Sequence, residues 1–121
     1  AGLETPGLLR GLADKYLGRA IRRIHEDPAR AWTVEELAST AMLSRSAFFD
    51  RFQKQIGMAP MEYLLSWRMA LAKDMLRRRD GGMKEIARRV GYGSASAFSV
   101  AFSRFVGIPP SRFGNPTSLA S

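Results

Sequence analysis

The chain has 121 residues, enough for one domain or two very small ones, and its 45% hydrophobic content supports a packed core rather than disorder. A formal net charge of +8 points to a polyanionic partner, nucleic acid first and an anionic membrane surface second. With no cysteine there is no disulfide, thiolate metal site or cysteine nucleophile, and no apolar run approaches the ~20 residues of a membrane span.

The opening residues, Ala1 to Gly7, contain two glycines and a proline and read as a linker. From about Leu8 to Glu26 the spacing predicts one helix, with Leu12, Tyr16, Leu17, Ala20, Ile21 and Ile24 on its apolar face and Asp27-Pro28 at its end. His25, the only histidine, falls in the last turn, where a cation would interact favourably with the helix C-terminus. With no cysteine and no convergent carboxylates beside it, a structural role is expected for it, and no metal or cofactor.

Trp32-Thr33-Val34-Glu35-Glu36-Leu37 is a helix start: Thr33 can cap, Glu36 completes a capping box, and Trp32 and Leu37 are spaced as a hydrophobic staple. That helix should end near Thr40. After a turn over Ala41 to Leu43, Ser44 should cap a second helix, Arg45 to about Ile56, closed by Gly57. A short helix, a tight turn and a longer helix make a helix-turn-helix candidate. Pro60 to Arg79 follows as a rod of good helix formers, roughly 30 Å long and stopped by Asp80-Gly81-Gly82. Met83 to Val90 is another short helix, Gly91-Tyr92-Gly93 a turn, and Ser94 the cap of a helix from Ala95 to Val106, closed by Gly107. Pro109 to Phe113 can form at most one further turn.

The second half repeats the first. Ser44/Ser94, Ser46/Ser96, Ala47/Ala97, Phe48/Phe98, Phe52/Phe102, Gly57/Gly107 and Pro60/Pro110 are identical pairs fifty residues apart. Leu37-Ala38 matches Ile86-Ala87 at a spacing one shorter, so the second copy carries one extra residue in its turn, where Gly91 and Gly93 can absorb it. The fold expected is all-α: two helix-turn-helix subdomains joined by a long central helix. The expected divisions are a linker over 1–10, a first subdomain over 11–59, a connecting helix over 60–80, a second subdomain over 81–113 and a flexible tail over 114–121.

A helix-turn-helix sets its second helix in the major groove of DNA, and two such helices on one rod suit successive grooves, which recur about every 34 Å. The rod is somewhat shorter, so DNA bent toward the protein is expected, or full docking of one unit only on straight DNA. Helical phase puts Phe48, Phe52 and Ile56 in the core with Ala47 beside them, and Arg45, Ser46, Phe49, Asp50 and Gln53 on the opposite face. Arg45 and Gln53 can reach phosphates or base edges. Asp50 can accept from a cytosine amine, or pair with Arg45 or Lys54 and orient them. Phe49 can press on thymine methyls or pack on its neighbours. The second reading helix offers only Ala95, Ser96, Ser99, Val100 and Ser103, whose side chains are short. The first unit should therefore carry most direct readout. The second should mainly hold the backbone through Arg104, Arg112 and helix N-terminal N–H groups. Lys84, Arg88, Arg89 and Arg68 are further cations that could meet phosphate.

Trp32-Thr33-Val34-Glu35-Glu36-Leu37-Ala38, Ser44-Arg45-Ser46-Ala47-Phe48, Gly57-Met58-Ala59-Pro60, Ile86-Ala87 with Val90-Gly91-Tyr92, and Phe98-Ser99-Val100-Ala101-Phe102 with Gly107-Ile108-Pro109-Pro110 resemble the C-terminal DNA-binding domain of AraC/XylS-family bacterial transcription regulators. The resemblance covers about Leu17 to Phe113. It implies about seven helices in two homeodomain-like units, binding to asymmetric promoter sites in double-stranded DNA, contact with RNA polymerase during activation, and a cytoplasmic location. It places base-reading positions at Ser46, Phe49 and Asp50 in the first unit and at Ser96, Ala97 and Val100 in the second. Ser44, Lys54 and Ser94 join Arg104 and Arg112 as expected backbone contacts. Several relatives carry Arg or Gln at reading positions where this chain does not. Members usually add an N-terminal domain for ligand sensing or dimerisation, so this chain is expected to be a monomeric C-terminal piece of a longer regulator. The alternative from another class is a helical interaction module that binds RNA polymerase or another protein, with DNA contact secondary. An enzyme is not expected, because no nucleophile is paired with a base and there is no phosphate loop.

Overall fold

The computed structural model describes residues 6–114, which are entirely helical and loop. The helices are α1 (Pro6–Ala13), α2 (Leu17–Glu26), α3 (Val34–Thr40), α4 (Arg45–Ile56), α5 (Pro60–Arg78), α6 (Met83–Arg89), α7 (Ala95–Val106) and α8 (Pro110–Phe113). They form two compact units, one running to Trp67 and the other starting at Arg68, so the division falls inside α5. Each half of α5, the expected connecting helix, thus belongs to a compact unit of its own. Residues 1–5 and 115–121, which hold half of the expected linker and most of the expected tail, lie outside the described residues.

In the first unit the helix expected over 8–26 is two helices. Asp14 causes the break: its Oδ1 accepts from the backbone N–H of Tyr16 at 2.9 Å and of Leu17 at 3.1 Å, which turns the chain and satisfies the start of α2. The other carboxylate oxygen, Oδ2, accepts from Arg51 Nε on α4 at 2.7 Å, and the Arg51 guanidinium also lies 5.0 Å from the Tyr16 ring. Burial alone would raise the Asp14 pKa; the hydrogen bonds from Leu17, Arg51 and Tyr16 outweigh it and hold the carboxyl below its ordinary value. The expected linker is therefore partly α1, a helix seated on the end of α4. Gly7 and Gly11, one turn apart on α1, are both buried, and a Cβ on Gly7 would collide with the Ile56 carbonyl. Glycine is required there so that helix can lie on backbone.

Leu17, Ala20, Ile21 and Ile24 of α2 pack with Trp32, Leu37 and Ala38, with Phe48, Phe52 and Ile56 of α4, and with Tyr63 and Leu64 of α5. The expected capping box is present: Thr33 Oγ1 accepts from Glu36 N at 3.1 Å and Glu36 Oε1 from Thr33 N at 3.2 Å. His25 lies in the last turn of α2, as expected, and is half-buried there. Its Nε2 lies 2.5 Å from the Tyr63 hydroxyl and its ring stacks on Trp67 at 3.7 Å, and burial pushes its pKa down. The same burial pushes the Tyr63 phenol up.

The second unit buries Met69, Ala72 and Leu76 of α5, together with Ile86, Ala87, Val90, Phe98, Phe102 and Pro110. The rod ends one residue before the expected stop, because Arg79 itself takes the left-handed conformation at φ 53° and its N–H reaches the Leu76 carbonyl at 3.2 Å. Aromatic geometry repeats between the units. Phe48 and Phe52 have centroids 5.6 Å apart at 54°, and Phe98 and Phe102 5.6 Å apart at 55°. Tyr63 meets Phe52 edge-on at 5.9 Å, as Phe113 meets Phe102 at 5.5 Å. Where His25 covers Tyr63, the Arg77 guanidinium lies over Phe113 at 5.1 Å.

Candidate nucleic-acid interface

Both helix-turn-helix turns are built on one backbone pattern. At the end of α3, Met42 N–H reaches the Ser39 carbonyl and Leu43 N–H the Ala38 carbonyl, each at 3.0 Å. At the end of α6, Gly91 N–H reaches Arg88 at 3.1 Å and Tyr92 N–H reaches Ala87 at 2.9 Å. These are paired Schellman bonds, and both need a left-handed residue at the turn. Met42 has φ 62° and Gly91 φ 94°. The extra residue of the second copy lies between this turn and the next cap, as expected.

Caps then fix the start of each reading helix. Ser44 Oγ accepts from Ala47 N at 3.2 Å and Ser94 Oγ from Ala97 N at 3.0 Å. Each hydroxyl keeps its own proton available as a donor. Gly57 at φ 93° and Gly107 at φ 97° close the two helices.

On α4, Arg45, Ser46, Asp50, Gln53 and Lys54 are exposed and Phe49 is half-buried. Ala47 is exposed too, where the phase argument put it beside the core: the buried stripe is Phe48, Phe52 and Ile56 alone. Arg45 Nε bonds Glu35 Oε2 on α3 at 2.8 Å, so its partner is across the turn and not Asp50. Among the described residues Asp50 forms no ion pair, and its carboxylate is open to solvent. On α7, Ser96, Ala97, Val100 and Arg104 are exposed, as are Ser94 before it and Arg112 on α8. Val100 is 52% exposed, one of the few large apolar side chains left uncovered.

The first helices of the two motifs differ in charge. On α3, Glu35 is paired with Arg45, and Glu36 with Arg30 at 2.6 Å. On α6, the same side carries Lys84 and Arg88, with Glu85 engaged by both Arg88 and Arg89. Lys84 forms no ion pair among the described residues. Arg79, exposed at the entry to α6, is a cation that helical counting passes over, because it reads as the last residue of a rod. Arg51 was passed over as well; Asp14 and Tyr16 engage it, which makes it a brace rather than a reader. No helix among the described residues is long and apolar enough to cross a membrane.

Comparison with known proteins places this arrangement. The helix-turn-helix domain family of AraC type matches residues 37–115. An AraC-like transcription regulator of Streptomyces lividans is 50% identical over 104 residues, which are 86% of this chain and 34% of that protein. The transcriptional regulator AlkR of Acinetobacter baylyi is 40% identical over 105 residues, again 86% of this chain and 34% of that protein. The chain thus spans about a third of the length of these relatives. Among solved structures, the DNA-binding domain of the global transcriptional factor AdpA, in complex with a target DNA, is similar with a TM-score of 0.75 and 30% identity, covering 84% of this chain and 90% of that one. The chain belongs to the AraC-type helix-turn-helix family, as the DNA-binding domain of a transcription regulator.

Proposed function

We propose that this domain reads an asymmetric promoter site by setting α4 and α7 into successive major grooves. The observation that carries the reading is the duplication of one turn-and-cap geometry, with the outward face of each second helix left clear of the core. In the first unit Arg45, Ser46, Phe49, Asp50 and Gln53 face bases, with Ser44 and Lys54 on phosphates. In the second, Ser96, Ala97 and Val100 face bases, with Ser94, Arg104 and Arg112 on phosphates. Exposed Lys84 and Arg79 add to the grip of the second unit. The 19 residues of α5 make a rod of about 28 Å, shorter than the ~34 Å groove repeat, which favours DNA bent toward the protein.

The length of the relatives supports reading this chain as one part of a longer regulator, which would act in the cytoplasm. The remainder would sense a ligand or dimerise, and RNA polymerase would be the partner during activation. This domain by itself would be a monomer. A gel shift with promoter fragments, run against competitor DNA at rising salt, tests the DNA reading. The expected result is a discrete complex that survives competitor and weakens steeply with salt. Equal affinity for competitor and promoter would overturn it.

A further inference from the structure

The repeat places two different chemistries at one structural position. Asp50 of α4 corresponds to Val100 of α7, each two residues after the first buried phenylalanine of its helix. The carboxylate can accept from the amine of cytosine. The isopropyl group can do nothing with a donor or an acceptor. Its neighbours one turn back, Ser96 and Ala97, are also exposed, and Ala97 offers only a methyl. Ser99, just before Val100, and Ser103, one turn on, are half-buried. From Ala95 to Ser103, then, the outward face of α7 has no hydrogen-bonding group longer than a serine hydroxyl. At its middle stands an aliphatic side chain 52% exposed. In the major groove one feature of a base pair is apolar, the methyl on carbon 5 of a pyrimidine. Thymine carries it, and 5-methylcytosine carries it at the same place.

We infer that the second unit selects its site by a pyrimidine 5-methyl group packed against Val100 and Ala97. The inference rests on α7 entering a major groove. Under it, 5-methylcytosine can stand in for thymine and uracil cannot, so cytosine methylation strengthens binding at that base pair. One buried methyl is worth about a fourfold change in affinity.

The test uses the 121-residue chain and a site selected from a random DNA pool. Each thymine·adenine pair of the second half-site is replaced in turn by uracil·adenine, by cytosine·guanine and by 5-methylcytosine·guanine. One thymine-to-uracil change should weaken binding about fourfold. At that base pair a 5-methylcytosine·guanine pair should bind about fourfold tighter than cytosine·guanine. Both differences should shrink in Val100→Ala, a change at a half-exposed side chain outside the buried core. Thymine and uracil binding alike at every position, or an undiminished methyl effect in Val100→Ala, overturns the inference while leaving two-groove reading intact. Failure of the pool to yield any preferred sequence overturns both.

Discussion

Met42 and Gly91 hold the same left-handed position in the two helix-turn-helix turns, at φ 62° and 94°, yet only one of them is glycine. A side chain in that region costs about 1–2 kcal/mol, which Gly91 avoids and Met42 does not. Met42 is 69% exposed, so little packing offsets the cost. Met42→Gly should therefore stabilise the chain by up to about 1 kcal/mol, after allowance for the greater freedom of glycine in the unfolded state. Gly91→Met should destabilise it by about 1–2 kcal/mol. Urea midpoints of the two variants, compared at constant slope, check the pair of signs.

Asp14 serves three donors on two elements with a side chain only 7% exposed. Asp14→Ala should cost about 2–3 kcal/mol, because two backbone N–H groups at the α2 start and the Arg51 guanidinium lose their acceptor. The wild-type carboxyl titrates below its ordinary value, so its contribution is full above the ordinary carboxylate range and fades as pH falls through the folded value. Acid unfolding of wild type should show this steepening, and Asp14→Ala should lack it.

His25 carries the same sign at a higher pH. Burial lowers its pKa from the ordinary 6.5, so proton uptake favours the unfolded chain. Its stabilising effect is complete above pH 6.5 and is lost as pH falls through the folded value. Thermal melts at pH 7.5 and 5.5 should differ more for wild type than for His25→Gln. Trp67, stacked on the imidazole, supplies a local fluorescence signal for the same titration. An unchanged pH dependence in His25→Gln would reject the assignment.

An insertion in α5 tests its part as a spacer. Met69 and Ala72 both lie in the second core, so a residue added near Leu71 would break that core as well as the phase. The division between Trp67 and Arg68 is the better place. One alanine there should turn one reading helix about 100° against the other while each unit still folds. Binding to a full site should fall toward that of a half-site, read as loss of one half of the footprint.

What the sequence made legible was whatever has a local cause. Ser44, Ser94 and the Thr33/Glu36 box act within one turn of helix, and Gly57 and Gly107 answer a backbone demand at their own position. What it hid depends on distant partners. Gly7 and Gly11 look like linker until Ile56 is known to lie against them. Asp14 looks like surface until Arg51 arrives from α4. Met42 meets a demand for a left-handed residue without the glycine that would announce it. On the reading face, helical phase put Ala47 beside the core because one helix surface cannot say how wide its buried stripe is. Arg45 was weighed as a partner of Asp50, and the actual partner, Glu35, belongs to the preceding helix.

The seat of α1 also decides where the gene can be cut. The family match opens at residue 37, downstream of both α1 and α2. A fragment expressed from that point would lack the whole α2 contribution to the first core. One begun at Leu17 would keep α2 but leave the Ile56 carbonyl without its glycine cover and Arg51 without Asp14. A shortest working fragment therefore starts no later than Pro6, the first residue of α1.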